Sequence, residues 1–457
     1  MRSAPTALDM TTCLLVYPNA LRYPFIPIGF GTIAAIAEER CDVSLFDATF
    51  LEDRDLLSGF RSAIESVQPD VLAVHCSSAD WALLRCLLKD ADSQLEDVTV
   101  VVGGPHCTAV PEQVSAFPQV DVTVIGEAET SFGVLLDRID RGMDISDVPN
   151  CWVRTSAGLS KNAPSHLIED LDTLPHPNWS LFDSRHVTFE REGEQRPWIE
   201  GAIESSRGCS GSCAYCVTDH VRRMYRGLGR FCREKSVARV VQEAVDIRNL
   251  LSLDFLHLVD DNFVNSPSRL AELAEAFESD VRLPLFVQAS ADRITEQTAA
   301  LLAQLGAEYV GIGVEVGDDA YRRDVLHKHV SNEQLVRAFD LLRDVGVKPW
   351  AYYMIGLPDQ NREDILATVQ LDRVLRPAQA FVSTYYPFPG TRLFERARED
   401  GLLSADEESP DYFEGQLSLR LPELSADDIQ RARELFPHAY RRNTRAHGRS
   451  VRAVLEA

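Results

Sequence analysis

Short apolar runs alternate with helical stretches over the first third of the chain. Five runs rich in Val and Leu are bounded by turn residues, and segments with apolar residues at helical spacing separate them. Short buried strands that alternate with helices are typical of an α/β fold with a doubly wound parallel sheet. We therefore predict a Rossmann-like domain over residues 8–145, with strands at 12–18, 42–47, 70–76, 98–104 and 120–127.

The same alternation returns over residues 198–395. Six apolar runs, each followed by a helical stretch, predict six strand–helix units and thus a partial (β/α)6 TIM barrel in place of a closed barrel of eight. The active sites of parallel barrels lie at the carboxyl ends of the strands. The predicted strands are at 198–205, 254–260, 284–290, 309–315, 349–356 and 380–387.

Two segments stand outside these repeating units. Residues 146–197 carry Pro and Asn with isolated aromatic residues, which is typical of a connector with local anchors, and we assign it no catalysis. Residues 396–457 begin acidic and predict a helical C-terminal tail in which Ser425 is an N-cap. The tail either closes the barrel or covers a substrate, and its charge pattern leaves both roles open.

Composition narrows the class of protein. The 457-residue chain has a formal net charge of -24, which argues against nucleic acid as a partner. Its apolar runs fall short of the roughly twenty residues that span a bilayer, and its first residues lack the apolar core of a signal peptide. Most of its ten cysteines are scattered in apolar contexts, as in a reducing compartment. We expect a cytoplasmic protein that binds neither nucleic acid nor membrane.

One loop concentrates the candidate chemistry. Three cysteines in the spacing C-x-x-x-C-x-x-C stand between Ser205 and Asp219, next to glycines that let the backbone wrap around a metal centre. A four-iron cluster normally takes four thiolates, so three of them leave one iron open to another ligand. A structural zinc site is the alternative, but Cys232 and His220 fit no zinc-finger spacing. The candidate metal ligands are Cys209, Cys213 and Cys216.

With an aromatic residue, Tyr215, before the third cysteine, this loop resembles the signature loop of the radical S-adenosylmethionine (SAM) enzymes. In that family SAM chelates the open iron through its amino and carboxylate groups. One electron from the 4Fe-4S cluster then cleaves SAM to a 5'-deoxyadenosyl radical. The resemblance therefore implies a 4Fe-4S cluster and SAM as cofactors.

Polar residues at the barrel strand ends match the family's SAM-binding positions. The resemblance implies that Asp260, Asp261 and Asn262 lie near the SAM amino group and that Glu315 binds the ribose. Lys328 matches a basic position that pairs with the SAM carboxylate. Arg233 and Lys235 also match a family pattern, and the alternative is that they are surface charges. The other implied contacts are the adenine site at Tyr215, Ile355, Gly356 and Leu357, and the strand-end residues Gln288 and Ser290.

The first domain resembles the cobalamin-binding domain that precedes some radical SAM domains. The resemblance lies in P-x-G-F-G-T-I-A-A at 27–35, G-G-P-H-x-x-x-x-P-E at 103–112 and V-I-G-E-A-E-T at 124–130. On fold alone, a flavodoxin-like domain that binds a nucleotide or no ligand is the alternative. Ligands of such sheets bind at the carboxyl ends of the strands. Those ends carry Pro18, Asn19, Asp47, Ser77, Ser78, Gly103, Gly104, His106, Gly126 and Glu127.

The loop after the second strand departs from one cobalamin-binding pattern. Domains that ligate cobalt with histidine carry D-x-H-x-x-G, whereas residues 47–52 read D-A-T-F-L-E, with Thr49 in place of the histidine. The resemblance then implies cobalamin whose lower face has no histidine ligand from this loop. We interpret His106 as a polar contact to the nucleotide tail.

Together these patterns predict a cobalamin-dependent radical SAM enzyme that methylates an unactivated carbon of a small molecule of natural-product biosynthesis. The resemblance implies methylcobalamin as the methyl donor and an electron donor such as flavodoxin or ferredoxin. The alternatives are a cyclase or ring-rearranging enzyme without methyl transfer, and a corrinoid-binding sensor or carrier. Methylthio transfer would require a second cysteine trio in the first domain, which is not present.

Tyrosines at the ends of two barrel strands are candidates for the substrate pocket. They come as neighbouring pairs, and strand alternation sends only one member of each pair inward, so core packing stays an equal alternative. Our candidate catalytic residues are Tyr352 and Tyr385, whose neighbours are Tyr353 and Tyr386.

Overall fold

The first half of the chain forms a seven-stranded sheet in the computed structural model, which describes residues 10–190, 195–403 and 417–439. The strands are β1 Thr12–Tyr17, β2 Asp42–Asp47, β3 Val71–His75, β4 Thr99–Gly103, β5 Val122–Val124, β6 Cys151–Thr155 and β7 Gly158–Lys161. Their order is β2-β1-β3-β4-β5-β6-β7, and β1 to β5 run parallel. The five predicted strands are confirmed.

The sheet extends beyond the boundary predicted at residue 145. β6 pairs antiparallel with β5, and β7 pairs antiparallel with β6. This hairpin covers the edge that β5 would otherwise expose, and an unpaired edge favours association with other chains. The first part of the predicted connector therefore belongs to the first domain.

Helices cover both faces of this sheet, as in other doubly wound folds. One face packs against Phe60, Leu84 and Leu87, and the other packs against Phe30 and Phe132. Both faces are apolar because parallel strands between two helical layers are buried on each side. The helices are α1 Ile28–Glu38, α2 Leu56–Val67, α3 Trp81–Asp90, α4 Pro105–Ala109, α5 Pro111–Ser115 and α6 Glu129–Asp140.

The second half forms a half-barrel whose six parallel strands follow one another in chain order. Its strands are β8 Thr188–Phe189, β9 Trp198–Ile203, β12 Phe255–Leu258, β13 Leu285–Gln288, β14 Ala307–Glu315, β15 Lys348–Ile355 and β16 Gln379–Thr384, and a separate ribbon pairs β10 Ser206–Arg207 with β11 Arg233–Glu234. The sheet order is β16-β15-β14-β13-β12-β9-β8, with β8 antiparallel at one edge. The predicted six-stranded partial barrel is confirmed.

Helices cover the outer side of the half-barrel. Several begin at a side-chain cap, such as Thr295 before α10 and Asn361 before α13, because these side chains satisfy the first free backbone N–H groups. Within the described ranges, every helix is too short or too polar to cross a membrane. The helices of the second half of the chain are α7 Val217–Met224, α8 Val237–Leu251, α9 Pro267–Ala276, α10 Glu296–Leu305, α11 Asp319–Asp324, α12 Asn332–Asp344, α13 Arg362–Leu375, α14 Arg392–Glu399 and α15 Ala426–Glu434.

The described part of the tail packs as an outer-layer helix of the half-barrel. Ser425 accepts a hydrogen bond from the Asp428 N–H, which confirms the predicted N-cap of α15. Ile429 and Phe436 are buried in the barrel core, where the Phe436 ring lies 5.2 Å from that of Tyr353. The basic end of the tail, 441–452, lies outside the described residues.

The loop that follows β14 approaches helix α13 at backbone distance. The Gly317 N–H donates to Thr368 Oγ1 over 2.8 Å. A Cβ atom added at Gly317 would lie 2.5 Å from the Thr368 nitrogen and closer still to the Ala367 carbonyl. The fully buried Arg322 holds the same loop through donations to the carbonyls of Val314 and Val316. Backbone contact of this kind is possible only without a side chain at position 317.

We expect Gly317→Ala to lower the free energy of unfolding by about 2 kcal/mol, because neither backbone segment has room to move away. Gly29→Ala is the control, since a Cβ there meets nothing within 4 Å and a helical Ala is preferred. Urea denaturation of both variants checks the difference. Equal stabilities would contradict the close approach.

Candidate active site between the two domains

The cysteine loop emerges beyond β9 and leads directly into α7. The Gly211 N–H donates to Cys209 Sγ over 3.3 Å, and a Cβ at Gly211 would lie 3.3 Å from that sulfur and 3.8 Å from Cys213 Sγ. Cys216 is the last residue before α7. The three thiols thus lie on one partly exposed loop, and the space beside two of them stays open because residue 211 has no side chain.

This donor set fits a cluster held by three thiolates. Burial raises the pKa of all three thiols, so they hold their protons until metal binding displaces them. Among the described residues, no three His, Cys, Asp or Glu side chains stand in the arrangement of a metal site.

Asp260 lies beneath this loop, not in the open site. Its carboxylate accepts hydrogen bonds from the Ser205 N–H at 3.1 Å and from the Ser206 hydroxyl at 2.5 Å. Burial raises its pKa to about 6, although these hydrogen bonds oppose the shift. The predicted position of Asp260 beside SAM is therefore not what the structure shows, because its carboxylate faces the strand that leads into the cysteine loop.

The neighbouring predicted residues divide between open and closed positions. Asp261 is exposed, lines the cavity between the domains and lies 3.4 Å from Thr218 Oγ1. Asn262 is buried and accepts from the Ser290 N–H at 3.1 Å, while the Ser290 hydroxyl donates to Asp292. Gln288 is partly exposed at the end of β13. Of the two predicted aspartates, Asp260 and Asp261, it is Asp261 that faces open space.

A buried carboxylate forms a compact cluster with a half-buried ammonium and a half-buried phenol at the end of β14. Glu315 Oε1 lies 2.8 Å from Lys328 Nζ and accepts from the Tyr215 hydroxyl at 2.9 Å. Burial lowers the pKa of Lys328, but Glu315 and Cys213 outweigh it and the net shift is upward. A side chain at Gly313 would collide with both Glu315 and Lys328. The structure thus brings together three predicted SAM contacts, next to Cys213.

The predicted adenine segment is fixed by a side chain that sequence reasoning missed. The carbonyl oxygen of Gln360 accepts from the Gly356 N–H at 2.7 Å and from the Leu357 N–H at 3.3 Å. Ile355 and Leu357 have fully buried side chains. The signal was a glutamine four residues after a strand-end glycine, which carries little information in a single sequence.

The two candidate tyrosines differ in their surroundings. Tyr352 is partly exposed on the inner face of β15 and stacks on Phe381, with ring centroids 5.6 Å apart. Tyr385 is only 1% exposed and packs in an apolar cluster with Leu357 and Leu393. The Tyr385 ring therefore serves in core packing. Tyr352 is the candidate that remains partly exposed to a pocket.

A cavity of about 520 Å³ lies between the two domains. Its wall is mainly apolar and combines the ends of β3, β4 and β5 with residues that flank the cysteine loop. A corrinoid fits such a wall, since large ligands are held mostly by apolar contacts and a few polar groups. Four of the predicted cobalamin residues line the cavity: Gly103, Gly104, Gly126 and Glu127.

A second cavity of about 240 Å³ adjoins the first at His75. Asn19 and Ser77, both predicted contacts, line it. His75 was missed by sequence reasoning, although its place as the last residue of β3 was the available signal. Burial lowers its pKa, which favours the neutral imidazole. His75 is therefore a candidate corrinoid contact, whereas in the 47–52 loop Thr49 accepts a hydrogen bond from Asn19.

Other predicted cobalamin residues point into the protein. Both ring nitrogens of His106 are occupied, by Ser78 Oγ and by Gln113 Oε1, each at 3.1 Å. Asp47 lies 2.5 Å from His186 Nε2 of the connector, and Pro18 is buried. The expected contact of His106 with a nucleotide tail is not what the structure shows, because its ring is enclosed beside Trp81. The Ser78 hydroxyl is likewise occupied by its hydrogen bond with His106 Nδ1.

An ion pair joins the two domains at the rim of the larger cavity. Glu127, just after β5, accepts from Arg233 Nη1 at 3.0 Å and binds its second terminal nitrogen, and Arg207 Nη1 lies 3.6 Å away. Burial raises the pKa of Glu127, but the arginines outweigh it and the net shift is downward. Arg233 is 2% exposed and Lys235 pairs with the buried Glu243, so neither predicted basic residue is surface charge.

Helix α7 carries a second contact across the same junction. The Glu127 N–H donates to the Tyr225 hydroxyl over 2.7 Å. Gly126 has a φ of 69°, and a Cβ there would lie 2.8 Å from Tyr225 Cζ. Because α7 begins directly after Cys216 and ends directly before Tyr225, the helix links the cysteine loop to the loop after β5.

Comparisons with known proteins identify the same two domains. Residues 203–371 match the model of the radical SAM superfamily, and residues 16–136 match that of the B12 binding domain. Cytidylyl-2-hydroxyethylphosphonate methyltransferase of Streptomyces wedmorensis is 24% identical over 83% of this chain and 79% of its own. Anaerobic magnesium-protoporphyrin IX monomethyl ester cyclase of Rubrivivax gelatinosus is 25% identical over 73% of this chain and 60% of its own.

A solved structure shares the whole architecture. The radical SAM methyltransferase TsrM from Kitasatospora setae, with cobalamin and a [4Fe-4S] cluster bound, superposes with a TM-score of 0.71 and 19% identity. The match covers 96% of this chain and 93% of that one. The fold is therefore that of a B12-binding domain followed by a radical SAM half-barrel.

We expect anaerobically reconstituted protein to bind about four irons, and Cys213→Ala to abolish the charge-transfer absorbance without loss of helical circular dichroism. Cys232→Ala is the matched control, since this partly exposed thiol lies outside the trio. Iron analysis and visible spectra check both variants. One zinc per chain with no iron uptake would contradict the prediction.

We expect Glu127→Gln to lower the free energy of unfolding by about 3 kcal/mol, because it leaves the buried Arg233 without its carboxylate, whereas Arg207 keeps its pairs with Glu129 and Glu204. Glu112→Gln is the control, since its 3.7 Å pair with Lys161 is exposed and worth at most about 1 kcal/mol. Urea denaturation of the apoprotein measures both. A loss at Glu127 no larger than at Glu112 would show that the junction contributes little stability.

Proposed function

We propose that this chain, which has a B12-binding domain followed by a radical SAM domain, methylates an unactivated carbon of a small molecule. The observation that carries the proposal is the cavity shared by the two domains. Gly103 and Gly126 line it from the first domain, and Gly208 and Val217, which adjoin the first and third cysteines, line it from the second. A corrinoid in this cavity and a cluster on this loop would share one space.

When bound, the cluster and SAM supply a 5'-deoxyadenosyl radical that removes a hydrogen atom, and the corrinoid supplies the methyl group that takes its place. Cys209, Cys213 and Cys216 would hold the cluster. Lys328 and Asp261 carry charges opposite to the carboxylate and amino groups of SAM. Lys328 pairs with Glu315, which accepts from Tyr215 of the cysteine loop, and Asp261 lies 3.4 Å from Thr218 Oγ1, just after that loop. Glu315 orients Lys328 through the 2.8 Å pair.

The chain also supplies the apolar wall of the cavity. Phe30, Val101 and Phe132 supply apolar surface to the cavity, which excludes water from a reactive radical. Gly103 lets a large ring approach the sheet edge. Tyr352, on the inner face of the half-barrel, is our candidate for substrate contact.

Cyclisation or ring rearrangement is the second candidate. It is favoured by the likeness to a relative named as a cyclase, whereas the likeness to relatives named as methyltransferases favours methyl transfer. We prefer methyl transfer because a corrinoid beside the cysteine loop is needed most directly as a methyl carrier. We further propose a small-molecule substrate, an external electron donor and a cytoplasmic location.

Methyl-labelled SAM separates the two candidates. We expect the reduced protein, incubated with this SAM and an extract of candidate metabolites, to release S-adenosylhomocysteine with 5'-deoxyadenosine and to move label into product. Cys213→Ala protein in the same mixture is the control. 5'-Deoxyadenosine formed with neither S-adenosylhomocysteine nor labelled product would replace methyl transfer by rearrangement.

A further inference from the structure

A run of arginines interrupts the acidic character of the chain immediately after the cysteine loop. The chain has a net charge of -24, yet no Asp or Glu occurs between Asp219 and Glu234. The last turn of α7 and the loop that follows it carry Arg222, Arg223, Arg226 and Arg230. A local excess of one sign on a surface of the opposite sign creates a directed field for a charged partner.

Part of this charge is gathered around one buried carboxylate. Asp219 is 2% exposed and lies 2.6 Å from Arg222, 3.2 Å from Arg223 and 3.2 Å from Arg392 of α14. Arg223 also donates to the Gly390 carbonyl at 2.9 Å. Three guanidinium groups thus share a single carboxylate, and their positive charge exceeds what Asp219 neutralises.

The other two arginines extend the charge without compensation. Arg226 and Arg230 are exposed, and within the described ranges neither forms a salt bridge with a carboxylate. We call the five residues Arg222, Arg223, Arg226, Arg230 and Arg392 the α7 arginine face.

The α7 arginine face adjoins the cysteine loop. Arg222 Nη1 lies 3.5 Å from the carbonyl oxygen of Ser210, the exposed residue that follows Cys209. The helix itself begins directly after Cys216. A protein seated on this face would therefore lie against the loop that carries the three thiols.

We propose that the α7 arginine face docks an acidic one-electron carrier protein. The inference rests on the proposed function, since a cluster on the cysteine loop must receive an electron from outside. One electron leaves the reduced carrier and enters the cluster, and neither an atom nor a proton is transferred. Charge complementarity selects an acidic partner, and it acts mainly on the rate of association and on specificity.

The test compares charge reversal on this face with charge reversal elsewhere. Arg226→Glu/Arg230→Glu changes the two exposed arginines that touch neither Asp219 nor the cysteine loop. Arg54→Glu/Arg141→Glu makes the same change in net charge on the first domain, at two exposed positions. The probe is a flavodoxin, used oxidised for binding titrations and reduced for anaerobic stopped-flow reduction of the cluster.

We expect the α7 double variant to bind the flavodoxin roughly tenfold more weakly at low salt, with the difference fading as salt screens the charges. Reduction by methyl viologen radical should be unchanged, and the first-domain variant should resemble the wild type. Equal flavodoxin affinity in all three proteins would overturn the proposal. So would slower reduction by methyl viologen, which would mean that the arginines serve the cluster site itself.

These measurements are independent of the reaction on the substrate. Binding titrations need no turnover, and cluster reduction needs no methyl transfer, so a failed methylation assay would not affect their outcome. Tight binding of a duplex DNA probe that the α7 double variant loses, with flavodoxin binding unaltered, would assign the face to nucleic acid and overturn the carrier.

Discussion

The ion pair of Glu127 with Arg233 is the constraint on which the site depends. It joins the loop after the last parallel strand of the first domain to the ribbon beside the cysteine loop, at the rim of their shared cavity. Breaking one partner of a mostly buried pair leaves the other charge uncompensated, so the two domains are held in one relative position. Tyr225 reinforces this junction through the backbone of Glu127. Glu127 and Arg233 line this cavity from opposite domains, so their pair connects its two walls.

Burial gives two carboxylates of the half-barrel opposite roles. Asp260 accepts hydrogen bonds from hydroxyl and amide donors, and these bonds fix the strand that enters the cysteine loop. Burial raises the pKa of Asp260 to about 6. Glu315 is also buried, but it has Lys328 as a counter-charge and Tyr215 as a donor. The pair with Glu315 holds the Lys328 ammonium in place. The two residues occupy similar strand ends, and their partners alone distinguish them.

The cavity wall and the outer surface of α7 differ in polarity. Apolar side chains from both domains line the space where radical chemistry would need protection from water. The arginines of α7 lie on the other side of the same helix, next to the thiols. One short helix therefore presents an apolar side to the cavity, through Val217 and Val221, and a cationic side to solvent.

The sequence by itself determined the elements and the chemistry of the loop. Strand–helix alternation predicted the five parallel strands and the six barrel strands because period and burial are local properties of the chain. Cysteine spacing marked the metal loop for the same reason. Only the tertiary structure decided that Asp260 and His106 turn inward and that Arg233 is buried. It also decided that His75 lines the cavity and that Gln360 accepts from the Gly356 N–H. Those roles depend on partners distant in sequence, such as Glu127 for Arg233, and a single chain read in order carries no record of which residues meet.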